Sequence, residues 1–185
     1  GTPVAVIFAN LYFGWREKTQ IIPEYHDKLK RLFKHARFID DVFGIWLGPT
    51  DGDWEAMKLD YNSFGILKWE FTDPSCQINF LDLTLWIKNG KILTKTYKKP
   101  NHPYLYIPPH SAHAPGMIKG TIYGLICKYF LQNSKHQHFL EMTKLLYDRH
   151  RARGWPTATL HPIFIAAEQR IKAQAHQTPQ ITPTY

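Results

Sequence analysis

The 185-residue chain is poor in cysteine, in long apolar runs and, over its second half, in acidic residues. Its two cysteines, Cys76 and Cys127, lie far apart and form no CxxC pair. That argues against a disulfide framework, a disulfide-linked partner or a cysteine-built zinc site, and it fits a reducing, intracellular compartment, nuclear if the source is eukaryotic. No apolar run approaches the ~20 residues needed to cross a bilayer, and no signal-peptide pattern opens the chain, so no membrane partner is expected. Residues 88–185 hold only 3 Asp and Glu against 14 Lys and Arg, a net of +11, whereas residues 1–87 hold 12 against 9, a net of −3. A basic half that keeps its aromatics suggests a polyanionic partner, most simply nucleic acid; a solvated basic face would have the same composition.

What is present is a folding sequence. At 44% hydrophobic and 15% aromatic residues the chain can build one sizeable core, or a core plus a small lobe, and is not a disordered polymer. Its opening, "GTPVAVIFANLYFGW", starts on an apolar run and reads as an internal cut through a larger domain.

Hydrophobic spacing divides the chain into short elements. Thr2 is placed to cap a helix with Pro3 in its first turn and apolar residues through Phe13. Pro23 is placed to open a second helix with Leu29, Leu32, Phe33 and Ala36 on one face. "ARFI" and "VFGIW" are β-favouring runs that meet at Asp40-Asp41 as a hairpin. Asp51 or Asp53 is expected to cap a helix bearing Trp54, Met57, Tyr61 and Phe64, stopped by Gly65. "ILKWEFT" reads as a strand. "INFLDLTLWI" and "ILTKTY" read as two strands joined by Asn89-Gly90, the preferred type I′ hairpin turn. The proline-rich segment "KKPNHPYLYIPPHSAHAPG" reads as an extended loop. Helices follow: one with the stripe Ile118, Ile122, Leu125, Ile126, Tyr129 and Phe130; one opened by a Ser134–Gln137 capping box and ended by Gly154 and Pro156; one opened by Pro162.

The adjacent carboxylates in "RFIDDVFGIW" carry the most chemistry. Two-metal nucleotidyl transfer needs hard oxygen ligands for Mg²⁺ at a groove, and a tight hairpin projects such carboxylates beyond a rigid strand pair. Neighbouring side chains on a regular strand face opposite ways, which makes Asp40 the expected ligand and Asp41 its support. The same two residues also suit a plain polar turn.

"FIDD", Phe38 to Asp41, resembles the palm motif of reverse transcriptases (aromatic, any residue, Asp, Asp), with Phe for the commoner Tyr. "GTPVAVIFANLY" resembles the end of the Gly-rich turn and helix upstream of that motif. "ILKWEFT" followed by "INFLDLTLWIKNGKILTKTYKKPNHPYLY" is similar to the stretch joining palm to thumb in Penelope-like and related eukaryotic retroelements. The likeness is collinear over about residues 1–133.

The resemblance implies an RNA-directed DNA polymerase. Its fold would be α+β: the second half of a right-hand palm over residues 1–107, a basic helical thumb-like region over 108–176, and a disordered tail over 177–185. Asp40 and Asp41 would hold Mg²⁺ or Mn²⁺. Phe38 would pack near the primer end, with Gly1 and Thr2 beside the incoming nucleotide. Lys68 would stand near the leaving pyrophosphate, although a solvated strand-end lysine fits it as well. The Asn89-Gly90 hairpin would act as the primer grip, and Lys95, Lys98 and Lys99 would meet phosphates. RNA template, DNA primer and deoxynucleoside triphosphates would be the partners of the intact enzyme. The other metal-binding Asp of such palms and the fingers would lie upstream, so these 185 residues alone are expected to be inactive. No GIY-YIG nuclease pattern occurs up to Tyr185.

Other constellations are more ambiguous. His102, His110 and His113 match no zinc spacing and read as structural or phosphate-contacting. "YLYIPPHSAH" would either stack on bases or pack in the core. Arg149, Arg151 and Arg153 fall at a helix C-terminus, where cations complement the dipole; a thumb helix would turn them to phosphates. Asp82 reads as structural or exposed. Two rivals to polymerase descent are a non-catalytic palm-thumb remnant that grips nucleic acid, and a Mg²⁺ nuclease drawing a third carboxylate from Glu70 or Asp73.

Overall fold

A computed structural model describes residues 3–101, 103–114 and 116–177. Among them the chain is mixed α+β, with five α-helices, one π-helical segment and two small antiparallel sheets. It divides into two compact units between Cys76 and Gln77. The three-stranded sheet after this division lies in the same unit as the three later helices, whereas residues 1–107 were expected together. Gly1, Thr2 with its expected cap, His102 and the tail beyond Gln177 lie outside the described residues.

The first unit begins with α1 (Pro3–Arg16), which runs directly into the π-helical segment Glu17–Lys28. Pro23 lies inside that segment and does not start it. The wider turn accommodates a residue with no N–H, and the segment ends with the Leu29 amide bonded to the Glu24 carbonyl five residues back. The expected helical face breaks there: Leu32, Phe33 and Ala36 belong to β1 (Leu32–Phe38), paired with β2 (Asp41–Trp46). Alternation along β1 decides this, because His35 and Arg37 turn inward while Lys34, Ala36 and Phe38 are exposed.

Helix α2 (Gly52–Asn62) is capped by Asp51, whose carboxylate accepts from the Asp53 amide at 3.2 Å. Phe13, Ile21, Tyr25, Leu32, Trp54, Met57 and Tyr61 form the core of this unit, with Trp69 and Phe71 packed against it. Residues 66–72, expected as a strand, pair with no sheet. Asn62 claims the backbone instead: its Oδ1 accepts from the Trp69 amide at 2.6 Å and its Nδ2 donates to the Trp69 carbonyl at 3.2 Å. With Trp69 held in this way, its indole reaches the Phe13 and Tyr61 rings.

The second unit opens with a meander, β3 (Gln77–Phe80), β4 (Leu83–Lys88) and β5 (Lys91–Thr96), in spatial order β3-β4-β5. "INFLDLTLWI" is thus two strands, broken where Leu81 takes a left-handed φ of 52° beside Asp82. The next turn is the expected two-residue hairpin: Lys88 pairs with Lys91, and Asn89 and Gly90 sit at φ 52° and 69°. Helices α3 (Met117–Gln132), α4 (His136–Ala152) and α5 (Thr157–Gln177) bury Ile122, Ile126, Tyr129, Phe139, Met142, Leu146, Leu160 and Phe164 in one core.

Two helix starts differ from expectation. Ser134 does not cap α4, whose N-cap is Lys135; its hydroxyl and amide go to Thr94 of β5, at 2.8 and 2.9 Å, and Gln137 turns to Glu141. Helix α5 begins five residues before Pro162, since the Thr159 and Leu160 amides already bond the Pro156 carbonyl and Leu160 is fully buried. The described helices include none long and apolar enough to cross a membrane, and both cysteines are free thiols.

Candidate metal and nucleic-acid site

Asp40 and Asp41 stand at the tip of the β1–β2 hairpin. Phe38 pairs with Asp41, so the turn is Ile39-Asp40 and the two carboxylates belong to different parts of it: Asp40 to the loop, Asp41 to the first position of β2. Both are exposed. As direct cross-strand partners, Phe38 and Asp41 leave the same face of the ribbon, and Phe38 is 57% exposed despite its apolar ring.

The backbone at this tip is strained. Ile39 has φ of 58°, a left-handed value that a β-branched residue rarely adopts and that costs about 1–3 kcal/mol. The support is Arg37. Its Nη1 donates to the Ile39 carbonyl at 3.0 Å and to Asn10 Oδ1 at 3.1 Å, its Nη2 to the Asn10 carbonyl at 3.3 Å, and its Nε to Glu17 Oε2 at 2.8 Å. The Arg37 and Glu17 side chains are both less than a tenth exposed, and the guanidinium lies over the Phe13 ring. Beyond Glu17 the network continues to His35, whose Nε2 is 3.4 Å from Glu17 Oε1 and 2.8 Å from the Tyr61 hydroxyl. Burial holds the His35 imidazole below its usual range, with the Arg37 charge adding in that direction against Glu17. This network is not foreseen in the sequence, although Arg37 stands two residues before the turn, where strand alternation points it inward.

The donor set fits a hard cation. Mg²⁺ and Mn²⁺ take one or two carboxylates and fill their other positions with water and phosphate oxygens, and Asp40 and Asp41 are the residues that would supply such ligands. Among the described residues no group of three or more His, Cys, Asp or Glu is assembled that would cage a metal ion. Glu70 and Asp73, the carboxylates a nuclease would need, are exposed and join no such group. Lys68 is exposed and donates to the Asn62 carbonyl at the end of α2, at 3.4 Å. That contact matches the helix-end role for a cation.

In the second unit, Lys95 lies half-buried on β5 and lines a cleft of about 660 Å³ with Lys98, Lys144, His138, Glu141 and Asp148. The Lys144–Asp148 ion pair at 2.8 Å makes that cleft mixed in charge. Lys98 and Lys99 are exposed just after the strand. Asp82 is exposed and pairs with Lys128 at 2.6 Å, a structural contact.

The three C-terminal arginines of α4 are engaged within the unit. Arg149 lies 3.7 Å from the centre of the Tyr104 ring, Arg151 donates to the Trp155 carbonyl, and Arg153 Nε donates to the Tyr106 carbonyl at 2.9 Å. Tyr106 also stacks on His150, and the Trp155 indole donates to the Ile107 carbonyl at 2.7 Å. The "YLYIPP" loop is thus packing against α4, and Arg149 and Arg153 hold it there. Ser111 and His113 hydrogen-bond within the exposed part of the loop.

No protein family, curated protein or solved structure matches the chain.

Proposed function

We propose that the chain is the second half of the palm and the thumb of a reverse transcriptase, an enzyme of RNA-templated DNA synthesis by two-metal nucleotidyl transfer. The observation that carries this reading is the strained Ile39-Asp40 turn, which displays two exposed carboxylates beside an exposed phenylalanine. Strain in a β-branched residue persists only where its surroundings over-determine it, and such places cluster at functional sites. A plain polar turn has no need of a left-handed isoleucine held by a buried arginine.

In this reading Asp40 and Asp41 hold Mg²⁺ or Mn²⁺, which when bound supplies charge stabilisation to the attacking and leaving oxygens of an in-line displacement. Phe38 offers a flat apolar surface to the terminal nucleotide of the primer, on the same face as Asp41. Lys98 and Lys99, just after β5, serve as phosphate contacts, and Lys95 lines the cleft together with Lys98. Lys68 and the α4 arginines serve the fold in this reading and leave phosphate contact to the lysines.

A binding module without chemistry is the second reading, supported by the absence of a third carboxylate near the pair among the described residues. Primer extension on an RNA template separates the two, using the complete enzyme that carries these residues beside its Asp40→Ala variant. Extension lost in the variant supports the polymerase. No extension in either, with salt-sensitive duplex binding retained, supports the binding module.

A further inference from the structure

We infer that Arg37 is a positioning residue: anchored on Glu17, it holds the Ile39-Asp40 turn in the one backbone geometry that presents Asp40 and Asp41 to a divalent cation. The inference rests on the metal-site reading above and adds the device that sets the site.

A two-residue turn joining two strands is ordinarily built with Gly, Asn or Asp where φ is positive. Here Ile39 occupies that position and Asp40 follows it. The turn residue itself has no intrinsic preference for this conformation, so something outside it must select it. Arg37 Nη1 donates to the Ile39 carbonyl, which fixes the peptide plane between Ile39 and Asp40 and hence the direction in which Asp40 leaves the chain. The guanidinium is itself buried and held on several sides. Four hydrogen bonds tie it to Glu17, Asn10 and Ile39, and the Phe13 ring lies beneath it. Glu17 sits where α1 passes into the π-helical segment, so the anchor belongs to a rigid element. A planar fork with five N–H groups can bridge three partners at fixed angles; an ammonium cannot.

Arg37→Lys keeps the charge against Glu17 and loses the fork. Two readouts on the complete enzyme that carries these residues test the proposal. The first is the strong intraresidue Hα–HN contact in NMR that marks positive φ at Ile39. The second is the affinity for Mn²⁺, read as paramagnetic broadening of the Asp40 and Asp41 amides. Arg37→Lys is expected to lose the positive-φ signature and to weaken Mn²⁺ binding about 10–100-fold, the usual cost of losing an outer-shell partner. Adding Ile39→Gly, which adopts positive φ without strain, is expected to restore much of the affinity in the Arg37→Lys background. A merely structural arginine would not be rescued at the turn.

Arg37→Lys that keeps both the signature and the wild-type Mn²⁺ affinity overturns the positioning role. Wild-type enzyme whose Asp40 and Asp41 amides are not broadened by Mn²⁺ overturns the metal-site reading itself, and the positioning role with it. The two failures are thereby distinct. Far-UV circular dichroism of each variant confirms that the comparison is between folded chains.

Discussion

Asn62 grips Trp69 by both ends of its peptide unit, accepting from the amide at 2.6 Å and donating to the carbonyl at 3.2 Å. One side chain at the end of α2 thus does for residues 66–72 what a neighbouring strand would otherwise do. Asn62→Ala is expected to leave both Trp69 groups without these partners and to destabilise the first unit by about 1–3 kcal/mol. Urea titration of the variant against wild type measures it, and Asn62→Asp, which keeps the acceptor alone, should fall between the two.

Breaking the buried Glu17–Arg37 pair from the acidic side should cost more. Glu17→Ala leaves a guanidinium with less than a tenth of its surface in water and no counter-charge at its Nε, a loss of about 3–5 kcal/mol. Glu17→Gln keeps an acceptor and should lose less. Thermal denaturation of the two variants ranks them, and equal stabilities would contradict the buried pair.

His150 makes the second unit sensitive to acid. Its imidazole is fully buried, donates from Nδ1 to the Leu146 carbonyl at 2.8 Å, and is held by burial below its usual value of 6.5. The unfolded chain therefore binds a proton that the folded unit refuses. This stabilisation is complete above about pH 6.5 and is lost progressively as pH falls below it. His150→Phe keeps the ring against Tyr106 and removes the titration. The melting temperature of wild type minus that of the variant should fall as pH drops from 7 to 5.

If the second unit grips nucleic acid, its lysines and arginines should separate by experiment. Lys98→Gln and Lys99→Gln, both at exposed positions, are each expected to reduce the salt slope of duplex binding by about 1. Arg153→Gln, which loses its bond to the Tyr106 carbonyl, should lower the melting temperature and leave that slope unchanged. Anisotropy titrations at several salt concentrations measure the slopes.

Much of the fold was legible where residue type dictates backbone. Asn89-Gly90 announces its turn because both residues accept positive φ, Asp51 caps α2 as its side chain allows, and the apolar spacing of α3 places Ile122, Ile126 and Tyr129 in the core. Reading failed where tertiary partners override local preference. Nothing in Leu81 or Ile39 announces a left-handed residue, so the break inside "INFLDLTLWI" was invisible, and the hairpin expected at Asp40-Asp41 turns one residue earlier, at Ile39-Asp40. Nor does the composition of "ILKWEFT" reveal that Asn62, seven residues upstream of Trp69, will hold its backbone. Pro23 and Pro162 read as helix openings by residue type, yet both lie inside helical segments begun by earlier residues. At the candidate site the carboxylates were visible in the sequence. Their support was not, because Asn10, Glu17 and Arg37 meet only in the folded chain.

The Thr94 and Thr96 amides of β5 have a further consequence. β5 is an outer strand of its sheet, and these two amides bond not to a strand but to Ser134 Oγ and Asn133 Oδ1 at the α3–α4 junction, at 2.8 and 3.0 Å. A border strand with unclaimed amides recruits foreign chains and seeds aggregation; here side chains some 37–40 positions away occupy those donors. The three-stranded meander, marginal by itself, is joined to the helices through its border, and its slowest-exchanging hydrogens should include Thr94 and Thr96. Solubility of the second unit would then depend on two small polar side chains in a helix–helix connection as much as on its surface charge.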